Sequence, residues 1–166
     1  MIFCNHLLFN FGIPCNRNDF HSVSKRSNLA GYRAGFVAGD SDVVMELLAC
    51  CKHFGMMVPT PVQAALAAVL DDDAHVAAQR DRYLRRRTVL KAALEQAGFS
   101  IDDSQGSLYL WATRSENCRT TVDWLAERGI LVAPGDFYGV AGATHVRVAL
   151  TATDERIDAA VERLLG

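Results

Sequence analysis

The sequence of 166 residues is poor in several features that would mark a protein class. It has no uninterrupted apolar run long enough to span a bilayer, so no membrane partner is expected. Charge of neither sign dominates: 17 Lys and Arg stand against 19 Asp and Glu, a net −2. That gives no general pull toward nucleic acid or anionic lipid, and no nucleic-acid partner is expected. The cysteines (Cys4, Cys15, Cys50, Cys51, Cys118) are odd in number and form no CxxC. The histidines (His6, His21, His53, His75, His145) show no HxH or HExxH spacing. A disulfide framework and a zinc site are both disfavoured, no metal is expected, and reduced thiols point to a cytoplasmic protein. Internal repeats and low-complexity tracts are missing too. What remains is a chain half hydrophobic and 22% charged, in the globular soluble range. Its length suits one domain, or one domain with part of another.

The first residues, Met1 to Asn18, are apolar but broken by Asn5, His6 and Asn10, with no clean period. They carry no basic n-region and no small-residue cleavage site before Pro14, so a signal peptide is not expected. Phe20 to Ser24 alternates like a buried strand end, and Phe36 to Ala38 suggests another strand between Gly35 and Gly39. Apolar residues at helical spacing predict a helix over Val43 to Phe54, with start residues at Asp40 to Asp42. Pro59 and Pro61 interrupt it, and Pro61 suits the first turn of a second helix, Val62 to Leu70. Asp71 to Asp73 then cap a long helix, Ala74 to Ala97, which Gly98 closes as a left-handed residue.

The period changes after Gly98. Phe99 to Ile101 and Leu108 to Trp111 read as strands, Asn117 to Arg128 as a helix stopped by Gly129, and Ile130 to Val132 as a short strand. A glycine-bearing loop, Pro134 to Gly142, leads to an alternating strand, His145 to Leu150. An amphipathic helix then runs from Thr153 to Leu165. Five arginines (Arg80, Arg82, Arg85, Arg86, Arg87) are spread around the long helix at 100° per residue rather than in one stripe. They read as a solvated helix surface, not as a nucleic-acid site.

The most informative segment is Ser22-Val-Ser-Lys-Arg-Ser-Asn-Leu-Ala-Gly-Tyr-Arg-Ala-Gly35. Lys25 follows a strand, among hydroxyls at Ser22 and Ser24. Arg33 adds a permanent forked cation, and Gly31 and Gly35 permit close backbone turns. Hydroxyls with an arginine suit an anionic phosphate. A buried lysine beside another cation has its ammonium form disfavoured and becomes an amine nucleophile. Together they suit an aldehyde cofactor that carries a phosphate, which is pyridoxal phosphate. A basic surface loop with no phosphate is the alternative on spacing alone.

At every constrained position this segment resembles the pyridoxal-phosphate attachment signature of class I/II aminotransferases. The resemblance implies that Lys25 carries the cofactor and that Ser22, Ser24 and Arg33 bind its phosphate. It continues along the chain. Pro59 and Gln63 are similar to a family segment near the dimer interface. Gly106-Ser-Leu-Tyr-Leu-Trp looks like a strand of the family's small domain, and Val132-Ala-Pro-Gly-Asp-Phe-Tyr-Gly like its Pro-Gly loop. Val146-Arg-Val-Ala-Leu resembles the strand whose arginine pairs with the substrate carboxylate, which makes Arg147 the expected substrate-binding clamp. The lysine loop through Asp40 and the stretch from His145 to Glu155 resemble in particular the actinobacterial N-succinyldiaminopimelate aminotransferases of lysine synthesis.

The implied architecture is α/β: the C-terminal part of a fold type I transferase. Residues 20–74 would end the large cofactor-binding domain and residues 75–166 would form the small α+β domain. Residues 1–19 stay unassigned, as non-homologous or disordered sequence. The family's aspartate for the pyridine nitrogen, its aromatic on the ring and its glycine-rich phosphate turn lie upstream of the lysine. None is assignable in Met1 to Asp19. The expected reaction is amino transfer between an amino acid such as glutamate and a keto acid, N-succinyl-2-amino-6-ketopimelate among them. The intact family is expected to be a homodimer. The alternatives are a non-catalytic fragment, or a lyase or decarboxylase on the same scaffold.

Overall fold

The computed structural model describes residues 19–166. The reading of residues 1–18 lies outside them. The chain falls into two compact units that divide after Ala78.

In the first unit β1 (Asp19–Ser22) pairs antiparallel with β2 (Gly35–Ala38), Ser22 opposite Gly35. A single turn, α1 (Val23–Arg26), leaves the end of β1. Helix α2 (Ser41–His53) starts where the Asp40 carboxylate accepts from the amides of Asp42 and Val43. Helix α3 (Thr60–Leu70) has Pro61 in its first turn, and the Gln63 amide donates to the Val58 carbonyl beneath it. A small core of Val23, Ala34, Val58 and Leu66 joins the lysine turn to α3. The expected buried strand over Phe20 to Ser24 is corrected here. The strand stops at Ser22, and Phe20 is 72% exposed, because a two-stranded ribbon covers only part of its own faces.

Helix α4 (Ala74–Gln96) contains the division between the units. It ends as expected: Gly98 is left-handed at φ 86°, and the Phe99 amide reaches back to the Leu94 carbonyl. The second unit is a four-stranded antiparallel sheet with helices. Its strands are β3 (Ser100–Ile101), β4 (Tyr109–Thr113), β5 (Ala133–Pro134) and β6 (His145–Ala149), in the order β3-β4-β6-β5. Helices α5 (Cys118–Glu127) and α6 (Asp154–Leu165) complete it. Strand alternation does the sorting. Leu110 and Ala112 of β4, with Val146 and Val148 of β6, enter one core with Leu90 and Leu94 of α4, Leu125 of α5 and Ile157 of α6. Tyr109, Trp111 and Arg147 occupy the alternate positions.

Two expectations change in this unit. Ile130 to Val132 is not a strand. The Ile130 amide is used to close α5 on the Leu125 carbonyl, Leu131 is 90% exposed, and pairing with β6 begins only at Ala133. Nor is the arginine run uniformly solvated. Arg86 and Arg87 are buried at 7% and 8% exposure, because each guanidinium has fixed oxygen partners beside α4. Arg86 donates to Asp154 at 2.5 Å and to the Leu150 carbonyl, and Arg85 pairs with Asp158 on the same helix, α6.

Candidate active site

The lysine loop is built outward from Val23. That side chain is 1% exposed, and its carbonyl accepts from the amides of both Ser27 and Leu29, so the turn is pinned at its base. Ser22 caps α1, its hydroxyl accepting from the Ser24 amide at 3.2 Å. Ser22, Ser24 and Lys25 therefore share one turn. Lys25 lies two residues past Val23, about 200° further round, and is exposed. The burial expected of it is not supplied by the described residues, because the turn directs Val23 inward and Lys25 away. The next residue, Arg26, ties the loop to α3, donating to the Val69 carbonyl at 2.9 Å and to Asp73 at 2.6 Å.

Arg33 closes the segment. It is left-handed at φ 52°, and its guanidinium folds back to the Ala30 carbonyl at 3.1 Å; among the described residues its other N–H groups have no hydrogen-bond partner. Gly35 is sterically required: a Cβ there would stand 2.4 Å from the His21 carbonyl oxygen across the ribbon. Gly31 lies in a tight 3-10 turn, Ala30–Tyr32, but a Cβ there would meet no atom within 4 Å among the described residues, so the turn does not sterically require glycine at that position. The expected donors are the Lys25 amine, the Ser22 and Ser24 hydroxyls and the Arg33 guanidinium, and no carboxylate lies in the sequence between Ser22 and Arg33. That set fits a phosphorylated aldehyde.

Arg147 belongs to the second unit. Opposite Trp111 in register, it lines a cavity of about 340 Å³ with Tyr109, Trp111, Tyr138 and the 102–107 loop. Its guanidinium carbon lies 4.2 Å from the Tyr109 ring centre and 5.3 Å from that of Tyr138. Its Nε is buried with no hydrogen-bond partner, and among the described residues it has no ion pair. A buried donor left unsatisfied is costly, so the arrangement suits a ligand that brings its own acceptor. The aromatic lining was not assigned from the sequence. Period-two alternation in β4, with Trp111 facing Arg147, was the signal that could have found Tyr109 and Trp111. Tyr138 arrives from a loop, in edge contact with Trp111 at 5.7 Å, and alternation carries no trace of it.

The family model for aminotransferase class I and II matches residues 20–164. The chain belongs to this family. Enzymes of this family are transaminases, and their cofactor is pyridoxal 5'-phosphate. The chain is 68% identical over 144 residues to a probable aminotransferase of Mycobacterium tuberculosis, covering 87% of this chain and 34% of that protein. It is 62% identical over 144 residues to the 4-dedimethylamino-4-oxo-anhydrotetracycline transaminase of Streptomyces rimosus, covering 87% of this chain and 40% of that one. Among solved structures, N-succinyldiaminopimelate aminotransferase from Mycobacterium tuberculosis aligns with a TM-score of 0.75 at 27% identity, over 87% of this chain and 40% of that chain. The mixed α/β architecture thus matches part of the fold type I aminotransferase fold. The chain spans 34–40% of the length of these curated relatives. Among the described residues no helix is long and apolar enough to cross a membrane.

Proposed function

We propose that this chain supplies the lysine loop and the carboxylate-binding strand of a pyridoxal-phosphate-dependent aminotransferase. The observation that carries the reading is Arg147 in an aromatic cavity, its buried Nε without a hydrogen-bond partner among the described residues, on a chain that also bears the Lys25 loop. Ser22, Ser24 and Arg33 would hold the cofactor phosphate through hydroxyl and charge-assisted hydrogen bonds. Lys25 would hold its aldehyde carbon through Nζ. When bound, the cofactor supplies an aldehyde for amine capture and a ring that accepts electrons from the substrate Cα–H bond. With an amino donor such as glutamate as substrate, the Lys25 Nζ would take up the substrate α-proton and give it back, as general base and then general acid. Arg147 orients the α-carboxylate with its planar fork, fixing which bond at Cα is presented.

The substrates are an amino acid and a keto acid, and the family's dimeric state and a cytoplasmic location belong to the same proposal. The likeness to the solved N-succinyldiaminopimelate aminotransferase supports N-succinyl-2-amino-6-ketopimelate as the acceptor, and relatives named LL-diaminopimelate aminotransferase support the diaminopimelate skeleton without the succinyl group. Their names also favour amino transfer over decarboxylation or elimination.

The test is spectroscopic. Adding pyridoxal phosphate to the purified chain is expected to give a visible Schiff-base absorption that borohydride fixes and Lys25→Ala abolishes. Absence of that absorption overturns cofactor binding by this chain. A glutamate half-reaction then tests amino transfer. Binding without turnover would favour a non-catalytic fragment.

A further inference from the structure

The arginine run contains a group that the mechanism above leaves unused. Arg87 is buried on α4, and its fork is directed at the 102–107 loop. One terminal nitrogen donates to the Ser104 hydroxyl at 2.6 Å and also reaches the Ser104 carbonyl at 3.4 Å. The other donates to the Ser107 carbonyl. This loop forms one wall of the Arg147 cavity, with both serines in the lining. Ser107 sits in the left-handed region at φ 78°, which is uncommon for a residue with a Cβ, and Asp103 does so at φ 41°, where aspartate is better tolerated. Arg87 makes no contact with Arg147 among its hydrogen bonds and ion pairs, so any effect on a ligand passes through the loop.

We propose that Arg87 is a positioning residue for the carboxylate cavity: it fixes the wall that faces Arg147, and so the depth and orientation in which a carboxylate meets the Arg147 fork. This rests on the reading of that cavity as a carboxylate site. Arg86 next to it is a built-in comparison, equally buried and bonded, but anchored on Asp154 and the Leu150 carbonyl rather than on the loop.

The experiment titrates the full chain with 2-oxoglutarate, following backbone amide shifts, with hydrogen exchange of the 103–107 amides as a ligand-free readout. Arg87→Leu is expected to weaken binding about tenfold, as misplacement of a binding group does, and to speed exchange in the loop. Arg87→Lys restores part of both. Arg86→Leu, even where it lowers the melting temperature, leaves affinity and loop exchange at the parent values. Unchanged affinity and exchange in Arg87→Leu, or equal weakening in Arg86→Leu, overturns the proposal. Ser104→Ala removes only a hydroxyl partner and keeps the test decisive if Arg87→Leu does not fold. Its affinity should fall too, and a parent-like value counts against Arg87. If Arg147→Ala binds as the parent does, the carboxylate reading itself fails, while loop exchange still decides whether Arg87 sets the wall.

Discussion

Gly135 and Gly142 face each other at the turn that brings Tyr138 to the cavity, and neither tolerates a side chain. A Cβ on Gly135 would stand 2.2 Å from the Gly142 carbonyl oxygen, 2.5 Å from that of His145 and 3.0 Å from the Trp111 ring. A Cβ on Gly142 would stand 2.1 Å from the Gly135 carbonyl oxygen. Two of the Gly135 obstacles are backbone, so no rotamer change relieves them. Overpacking of this kind costs about 1–3 kcal/mol, and backbone obstacles place Gly135→Ala in the upper half of that range. At roughly 2–4 °C per kcal/mol for a chain of this size, the melting temperature should fall by about 4–12 °C.

Thermal unfolding followed by tryptophan fluorescence and by far-UV circular dichroism measures this, with Gly31→Ala as the comparison, since its Cβ enters open space. Gly31→Ala is expected within about 0.5 kcal/mol of the parent. Because the two glycines obstruct each other, Gly135→Ala with Gly142→Ala should lose less than the sum of the single variants. Trp111 is both an obstacle to that Cβ and a wall of the cavity, so Gly135→Ala should also weaken carboxylate binding. Melting at the parent temperature would refute the close approach of the two backbones, and with it this account of how Tyr138 is placed.

Leu110→Ala removes a side chain with no exposed surface from the centre of the second core, and should cost about 2–5 kcal/mol in denaturant unfolding. The Asp154 carboxyl is held below its ordinary pKa, first by its hydrogen bond from Arg86, against opposing desolvation. A depressed carboxylate contributes stability above its unfolded pKa of about 3.9, and that contribution disappears as pH falls through the lower folded value. Asp154→Asn should therefore be destabilised at neutral pH and show a flatter loss of stability in the acid limb, measured by urea unfolding from pH 7 to pH 3.

The helices were legible because their ends carry their own chemistry. Asp40, Asn117 and Gly98 each stand where a cap is needed, and each acts as one. The strands of the second unit were legible where alternation is sharp, as in β4 and β6. Ile130 to Val132 misled because apolar residues need not pair: closing α5 took the Ile130 amide first. Arg86 and Arg87 misled for a different reason. Periodicity says where around a helix a charge lies, not whether oxygens far along the chain wait for it. Asp154, Leu150, Ser104 and Ser107 are such partners. At the site, the lysine motif located Lys25 and its neighbours, but its burial is a tertiary property that no local pattern contains.

The two parts of the chemistry are supported unequally. Arg147 stands on a strand whose alternate residues, Val146 and Val148, are buried in a core drawn from three helices and two strands. Its aromatic surroundings come from the same sheet face and from a loop fixed by backbone contact at Gly135 and Gly142. The Lys25 turn hangs instead on Val23, in a core of four buried residues, while Phe20, Met45 and Phe54 of the same unit are exposed. Local stability follows buried contact, so opening should cost less at the lysine than at the carboxylate arginine. A ligand on Arg147 can be oriented by what surrounds it in its own unit. The Lys25 loop offers the donors for a phosphate and an aldehyde but leaves the amine open to water. The step that most needs a dry, fixed amine is thus the one the described residues support least. For that reason cofactor capture at Lys25, rather than carboxylate binding at Arg147, is what decides whether this chain acts as an aminotransferase.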